Sequence, residues 1–230
     1  MSEQFSIPEG FVGTVRLFPL PNVVLFPRVT LPLHIFEPRY RQMTADALTG
    51  DRLITMALLK PGWEPQYEAK PALYPVGCVG KVVADQALED GRYNLVLRGL
   101  SRARIMREIK CERLYRTAQV ELLSDTGLTT PTDSRKLCLL LARLARKWFT
   151  SAGVDFEQVS RLFKGNLPIG TIGDVLSFVL PLPPEVKQEL LEQLSVAQRI
   201  ARLIDHLQEK QPPQSKSTSA AKFPPEFSLN

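Results

Sequence analysis

Side chains that commonly act as catalysts or metal ligands are few in this chain and widely spaced. The two histidines, His34 and His206, have no cysteine or carboxylate at the spacing of a zinc site. His34 lies among apolar residues of a predicted strand, which favours a partly buried structural histidine over a catalytic one. His206 follows Asp205 on a predicted helix, where a solvated face is the ordinary interpretation. We therefore predict that the protein uses no metal and no cofactor.

The three cysteines, Cys78, Cys111 and Cys138, are far apart and form no CxxC pair. This pattern argues against a disulfide framework and favours a reducing compartment. Each cysteine lies in a strand or helix pattern that predicts burial, so we expect inert core thiols rather than a nucleophile. The N-terminus lacks a basic region followed by an apolar run, and no apolar run reaches the roughly 20 residues of a membrane span. We expect a cytoplasmic protein.

The sequence contains no recognisable nucleotide-binding or nucleophile motif. Gly80 and Lys81 are followed by Val82, where a phosphate-binding loop requires serine or threonine. Neither the G-x-G-x-x-G nor the G-x-S-x-G pattern occurs, and no pair of carboxylates stands out as an acid and base couple. We predict that the protein is not an enzyme, and the alternative is a catalytic site assembled from distant residues.

One feature that suits binding is a loop over residues 60–75, which carries Trp63, Tyr67 and Tyr74 among prolines and a glycine. Aromatic side chains on an exposed loop favour peptide recognition, since they bury much area at little entropic cost. The alternative is that the three rings fold back and cover the sheet. The sequence supports the two interpretations equally.

A second feature is a set of arginines in the segment that follows. Its members are Arg98, Arg102, Arg104, Arg107, Arg113 and Arg116. Arg102 and Arg104 alternate with apolar residues, so we expect both to project from one strand face. With the net charge of +5, Arg98, Arg102 and Arg104 are candidates for binding nucleic-acid phosphates. The favoured alternative is a solvated face balanced by nearby glutamates.

The first half of the chain is predicted to be β-rich around one short helix. Strands are predicted at residues 14–20, 31–36, 53–59, 76–83, 93–97, 103–109 and 115–123. Asp90 and Gly91 predict a hairpin turn, Gly99 predicts a bend or bulge, and Pro32 places its strand at a sheet edge. Pro38 begins the helix and Gly50 ends it.

The second half is predicted to be helical. Apolar spacing predicts helices at residues 133–148, 154–163 and 172–179, the first with Thr132 or Asp133 as its N-cap. A longer helical segment begins at Pro184, and the capping-box spacing of Ser195 and Gln198 predicts a break within it. Strands followed by helices, without alternation, favour an α+β fold.

Several motifs together resemble a known family. Residues 17–27 (LFPLPNVVLFP) and 31–40 (LPLHIFEPRY) are similar to the opening signature of the substrate-binding domain of Lon-type ATP-dependent proteases. Residues 34–41 (HIFEPRYR) resemble the free-standing bacterial members of the family more than full-length Lon. Residues 50–54, 76–80 and 90–104 resemble later strands of the family in the same order, and the resemblance extends over about residues 12–208.

The resemblance implies a PUA-like β pseudo-barrel over residues 12–123 and a C-terminal helical bundle over 133–210. The segment 211–230 is rich in proline, serine and lysine, which predicts a disordered tail. It also implies binding of unfolded or exposed polypeptide, with a protease or an adaptor as a further partner, and without the ATPase and peptidase of Lon. Phe36 and Tyr40, within the signature, join Trp63, Tyr67 and Tyr74 as candidate binding residues. The alternative function is RNA binding by a PUA-like domain through its arginine-rich strand face.

Overall fold

A computed structural model describes residues 6–67, 70–127, 130–151 and 156–209. The strands are β1 (Thr14–Leu20), β2 (Thr30–Ile35), β3 (Leu53–Leu58), β4 (Val76–Ala87), β5 (Tyr93–Ile109) and β6 (Arg116–Leu123). The helices are α1 (Pro38–Leu48), α2 (Pro131–Ser151), α3 (Glu157–Lys164), α4 (Ile169–Val179), α5 (Pro184–Glu192) and α6 (Val196–Glu209). A short 3-10 turn lies at Glu64–Gln66. The predicted tail over 211–230 lies outside the described residues.

The strand pairings close into a ring. β1 pairs in parallel with β3, β3 pairs with β4, β4 with β5, β5 with β6, and β6 returns to β1. Ring closure depends on the length of β5, whose second half pairs with β6 while its first half pairs with β2. β2 stands at the end of the strand order. An edge position suits Pro32, which has no backbone N–H to donate to a further strand.

Alternating side chains of these strands supply two separate cores. The small core contains at least one residue from every strand of the ring, so these side chains meet inside it. Its members are Val15, Leu17, Leu53, Val79, Ala103, Ala118 and Val120. The large core covers the other face and joins it to the helices, for example Phe18 and Met56 of the sheet to Leu176 and Ile200. The large core is therefore continuous between the sheet and the helices, whereas the members of the small core all lie in strands.

Two sequence predictions about breaks had different outcomes. The residues predicted as strands 93–97 and 103–109 form one continuous strand, β5, so the division into two strands was wrong. The predicted bulge is present, because the register shifts where Gly80 pairs with Gly99 and Val79 pairs with Ser101. A Cβ atom at Gly99 would lie 2.1 Å from the carbonyl oxygen of Phe26, which explains the glycine.

The helical segment after Pro184 does break where the sequence predicts. α5 ends at Glu192 and α6 begins at Val196. The backbone N–H of Gln198 points to Ser195 Oγ at 3.5 Å, which is the predicted capping interaction. At α2 the observed cap differs from the prediction, because Thr130 Oγ1 accepts the Asp133 N–H at 3.2 Å. None of the helices in the described part of the chain is long and apolar enough to cross a membrane.

Candidate functional site

The aromatic loop over residues 60–75 folds onto the first turn of α1. The Tyr67 hydroxyl donates to Glu37 Oε1 at 2.8 Å, and the Arg39 guanidinium lies 4.5 Å from the centre of the Tyr67 ring. Trp63 packs edge-on against Tyr67, with 5.4 Å between ring centres. Burial, followed by the hydrogen bond to Glu37, raises the pKa of Tyr67. Both side chains are half-buried, and Tyr67, on which Trp63 packs, is held by Glu37 and Arg39 at the start of α1.

The other aromatic candidates lie in different environments. Tyr74 is half-buried against the large core. Tyr40 is only 3% exposed, and its hydroxyl donates to the Pro19 carbonyl at 3.1 Å. The helical spacing of α1 turns the ring into the core, so Tyr40 offers a ligand little accessible surface, and its role as a contact residue stays a prediction. Phe36 is 38% exposed and stacks on His34, with ring centres 6.3 Å apart.

An open groove lies between the end of β1, the start of α1 and the β5–β6 hairpin, with a volume of about 540 Å³. Its charged lining residues are Glu37, Arg39, Lys70, Glu108, Arg113 and Arg116. Its other lining residues are Pro19, Pro38, Tyr40, Ile109, Cys111, Leu114 and Tyr115. The loop over residues 60–75 reaches this groove through Lys70, and its aromatic side chains Trp63, Tyr67 and Tyr74 are not among the described residues that line it.

Ion pairs fix the walls of the groove. Arg39 pairs with Glu37 at 2.7 Å, and Arg116 donates to Glu108 through Nε at 2.9 Å and also through Nη2. The hydrogen bonds from Arg116 lower the pKa of Glu108. Arg116 Nη1 also donates to the Pro71 carbonyl at 2.8 Å, which ties the aromatic loop to β6.

The far rim of the groove is apolar and held by α1. Leu114 is 64% exposed, and its backbone N–H donates to Gln42 Oε1 at 2.8 Å. Arg113 pairs with Asp46, which also accepts the Tyr115 hydroxyl at 2.7 Å. Three contacts from α1 therefore hold the hairpin turn in position, and an exposed leucine is presented at a fixed place.

Cys111 differs from its sequence prediction. Its thiol is exposed at the groove, whereas Cys78 is fully buried and burial raises the pKa of its thiol to about 12. The reason is that β5 ends at Ile109, so Cys111 lies in the hairpin turn rather than in a strand.

Arg102 also differs from its prediction as a phosphate-binding residue. Only 3% of its side chain is exposed, and it makes a bidentate pair with Asp174 at 2.6 and 3.1 Å. Its Nε donates to the Leu191 carbonyl at 2.9 Å. Arg104, two residues along the strand, is exposed and pairs with Glu121 at 3.2 Å. The two arginines therefore have different environments, because helices α4 and α5 supply the bonding partners of Arg102, whereas Arg104 pairs with β6.

Arg102 belongs to a cluster of four charges, which we call the quartet: Arg102, Asp125, Asp174 and Arg199. Three of the four are buried, and Asp125 is exposed. Arg199 reaches Asp125 at 2.7 Å and Asp174 at 3.1 Å, and donates to the Gln193 carbonyl at 2.7 Å. These residues join β5, the segment after β6, α4 and α6. A second cavity of about 580 Å³ lies over the quartet. Sequence reasoning missed the quartet, although a lone aspartate within the apolar α4 was a signal for a buried partner.

The surroundings of His34 contain no catalytic arrangement. Its Nδ1 lies 2.7 Å from Asn94 Oδ1, and its Nε2 lies 3.4 Å from Arg92 Nη1. Neither partner is a nucleophile or a carboxylate. Within the described ranges, no group of three or more histidine, cysteine or acidic residues is placed to hold a metal ion.

Comparison with known proteins places the chain in a family. The substrate-binding domain of ATP-dependent protease La (LON) matches residues 14–209. The chain is 27% identical over 201 residues to a Lon protease of Lawsonia intracellularis (strain PHE/MN1-00), and the alignment covers 87% of this chain and 24% of that protein. The chain is 28% identical over 193 residues to a Lon protease of Paraburkholderia phytofirmans (strain DSM 17436 / LMG 22146 / PsJN). That alignment covers 82% of this chain and 23% of the relative. The chain thus spans about a quarter of these relatives.

Two solved structures share the fold. One is a Lon N-terminal domain protein from Xanthomonas campestris, with a TM-score of 0.60, 24% identity, and coverage of 84% of this chain and 97% of that one. The other is the N-terminal domain of the Mycobacterium avium complex Lon protease, with a TM-score of 0.66, 15% identity, and coverage of 86% and 100%. The mixed α+β architecture with its six-stranded sheet resembles both. This chain therefore belongs to the family of Lon substrate-binding domains.

Proposed function

We propose that the protein is a non-catalytic polypeptide-binding module, and that the groove between α1 and the β5–β6 hairpin is its contact surface. The observation that carries this proposal is the fixed, exposed Leu114 beside an open groove, in a chain whose family match is to a substrate-binding domain. An apolar side chain held in solvent at a defined place offers an unfolded segment area to bury.

The finer description of the fold belongs to the same proposal. The closed strand ring suits a PUA-like β pseudo-barrel, and the helices after Pro131 suit a C-terminal bundle. Residues 12–123 and 133–210 are then the two domains, which the quartet fastens together. The matches are to the N-terminal region of Lon, which supports a role without ATPase or peptidase activity. Unfolded polypeptides in the cytoplasm are the proposed ligands, presented to a protease or an adaptor.

Fluorescence anisotropy with a labelled, reduced and alkylated polypeptide tests the proposal. The variant is Leu114→Ser, and the matched control is Met106→Ser, because Met106 is 58% exposed on the same hairpin but does not line the groove. We expect Leu114→Ser to weaken binding roughly tenfold, since burying a leucine side chain contributes about 1.5–3 kcal/mol. Met106→Ser should bind like the parent protein.

Two results would count against the proposal. Binding that is absent altogether would remove polypeptide recognition as the function. Equal loss in both variants would show that general surface apolarity, rather than the groove, captures the polypeptide. A labelled single-stranded RNA of similar length serves as the comparison ligand for the alternative function.

A further inference from the structure

The cationic side chains of the groove fall into two groups according to whether their donors are already used. Arg39 donates from Nε to Glu37 at 2.9 Å and from Nη1 to the Tyr67 carbonyl at 3.2 Å, and its Nη2 pairs with Glu37. Arg116 likewise uses Nε and Nη2 on Glu108 and Nη1 on the Pro71 carbonyl. Every nitrogen of these two guanidinium groups is therefore already in contact with the walls of the groove.

Lys70 and Arg113 form the other group. Lys70 is exposed, lines the groove, and makes no hydrogen bond or ion pair with any residue in the described ranges. Its positive charge contributes to lowering the pKa of Glu108, but the two carboxylate oxygens of Glu108 already accept hydrogen bonds from Arg116. Arg113 also lines the groove, is 50% exposed, and pairs with Asp46 through Nη1, which leaves further N–H donors of the five that a guanidinium carries.

The charges of the groove therefore do not cancel. Among the residues that the structure describes, four cationic side chains line it, and Glu37, Glu108 and the Asp46 partner of Arg113 compensate three of them. The remaining positive charge lies on Lys70, on the same groove as the exposed apolar side chain of Leu114. A ligand that fits both features carries a carboxylate close to a large apolar side chain.

We propose that the groove selects extended polypeptide segments in which an acidic residue neighbours a large apolar residue, with the carboxylate held by Lys70 and Arg113. This inference rests on the proposed polypeptide-binding function and names the class of segment that the groove takes. Charge complementarity acts here as selectivity, because an exposed ion pair adds little affinity but an opposed like charge lowers it.

The test uses three labelled peptides of one length with the same apolar residues, whose variable positions are acidic (Asp, Glu), neutral (Asn, Gln) or basic (Lys). Anisotropy titrations against the full chain should give roughly fivefold tighter binding of the acidic peptide than of the neutral one, the size expected of one or two exposed ion pairs. The basic peptide should bind most weakly. The preference should shrink as salt is added, because the charges are exposed.

Variants assign the preference to the two cations. Lys70→Glu should abolish or reverse the order of acidic and basic peptides, and Arg113→Gln should reduce the preference about twofold. The matched control is Lys147→Glu, an exposed lysine of α2 that does not line the groove, which should leave the order unchanged. Both groove positions are exposed, so folding should tolerate either change.

The outcomes separate this inference from the function on which it rests. Equal binding of acidic and neutral peptides, or a preference that survives Lys70→Glu, would overturn the charge selectivity while leaving polypeptide binding intact. Binding of none of the three peptides would overturn both. A preference lost equally in Lys147→Glu would show a general effect of net charge and would also overturn the assignment to the groove.

Discussion

The arginines of the quartet and of the groove have different roles: Arg102 joins buried parts of the fold, whereas Arg113 remains accessible to solvent. In the quartet, Arg102 is enclosed by helices, and its bonds to Asp174 and the Leu191 carbonyl join the sheet to the helical half. In the groove, Arg113 is half exposed and keeps donors in contact with solvent. The pairing partners are alike, so the difference arises from burial. A charge removed from water must be fully satisfied by the protein, whereas an exposed charge is available to a ligand.

The largest expected effect comes from breaking the quartet. Arg102→Met leaves Asp174 buried with one arginine fewer, and should lower the free energy of unfolding by about 3–5 kcal/mol. Urea denaturation followed by circular dichroism measures the change. The matched control is Arg104→Met on the same strand, whose exposed pair with Glu121 should contribute about 0.5 kcal/mol or less. Similar losses in the two variants would show that the quartet does not fasten the helices to the sheet.

A smaller effect is expected where the aromatic loop meets α1. Tyr67→Phe removes the hydroxyl that donates to Glu37, and should lower the free energy of unfolding by about 1 kcal/mol. Tyr93→Phe is the control, because Tyr93 is also half-buried but its hydroxyl makes no hydrogen bond with another residue in the described part of the chain. Denaturant midpoints of both variants check the prediction. A loss in Tyr93→Phe as large as in Tyr67→Phe would contradict a specific role for the bond to Glu37.

The smallest effect is a pH dependence at the wall of the groove. Arg116 holds the pKa of Glu108 below its ordinary value of 4.5, so the folded state favours the carboxylate more strongly than the unfolded state does. The resulting stability is present above the ordinary pKa and is lost as the pH falls through the lower folded pKa. Because Glu108 is partly exposed, the effect should stay well under about 1 kcal/mol.

Unfolding of the parent protein and of Glu108→Gln between pH 3 and pH 6 measures this effect. The stability difference between the two proteins should be largest near pH 6 and should narrow towards pH 3, because protonation of Glu108 removes the charge that distinguishes it from glutamine. A difference that stays constant over this range would mean that Glu108 contributes through packing rather than through its charge.

Local patterns in the sequence were sufficient for most elements. Pro38 and Gly50 predict α1 to within two residues, and Asp90 with Gly91 predicts the β4–β5 hairpin, because turn and cap preferences act over a few residues. The continuity of β5 was not predicted. Its two halves pair with different partners, β2 and β6, and those partners are far away in the chain.

The sites were less predictable than the elements. The loop over residues 60–75 was identified from its aromatics, yet Lys70, one of its polar residues, lines the groove. Tyr40 is of a residue type common at binding surfaces, but it is buried because α1 packs against β1. Its hydroxyl donates a hydrogen bond to the Pro19 carbonyl. The exposure of an aromatic or charged residue depends on which distant surface covers it.

The sequence by itself determined the α+β order of elements, the bulge at Gly99, the break at Ser195, and membership of the Lon substrate-binding domain family. These follow from local conformational preferences and from motifs in a fixed order. Tertiary structure alone decided that Arg102 is enclosed and that Arg113 and Leu114 face an open groove. The physical reason is that burial is set by contacts between segments distant in the chain, and burial determines whether a charge holds the fold together or remains available for binding.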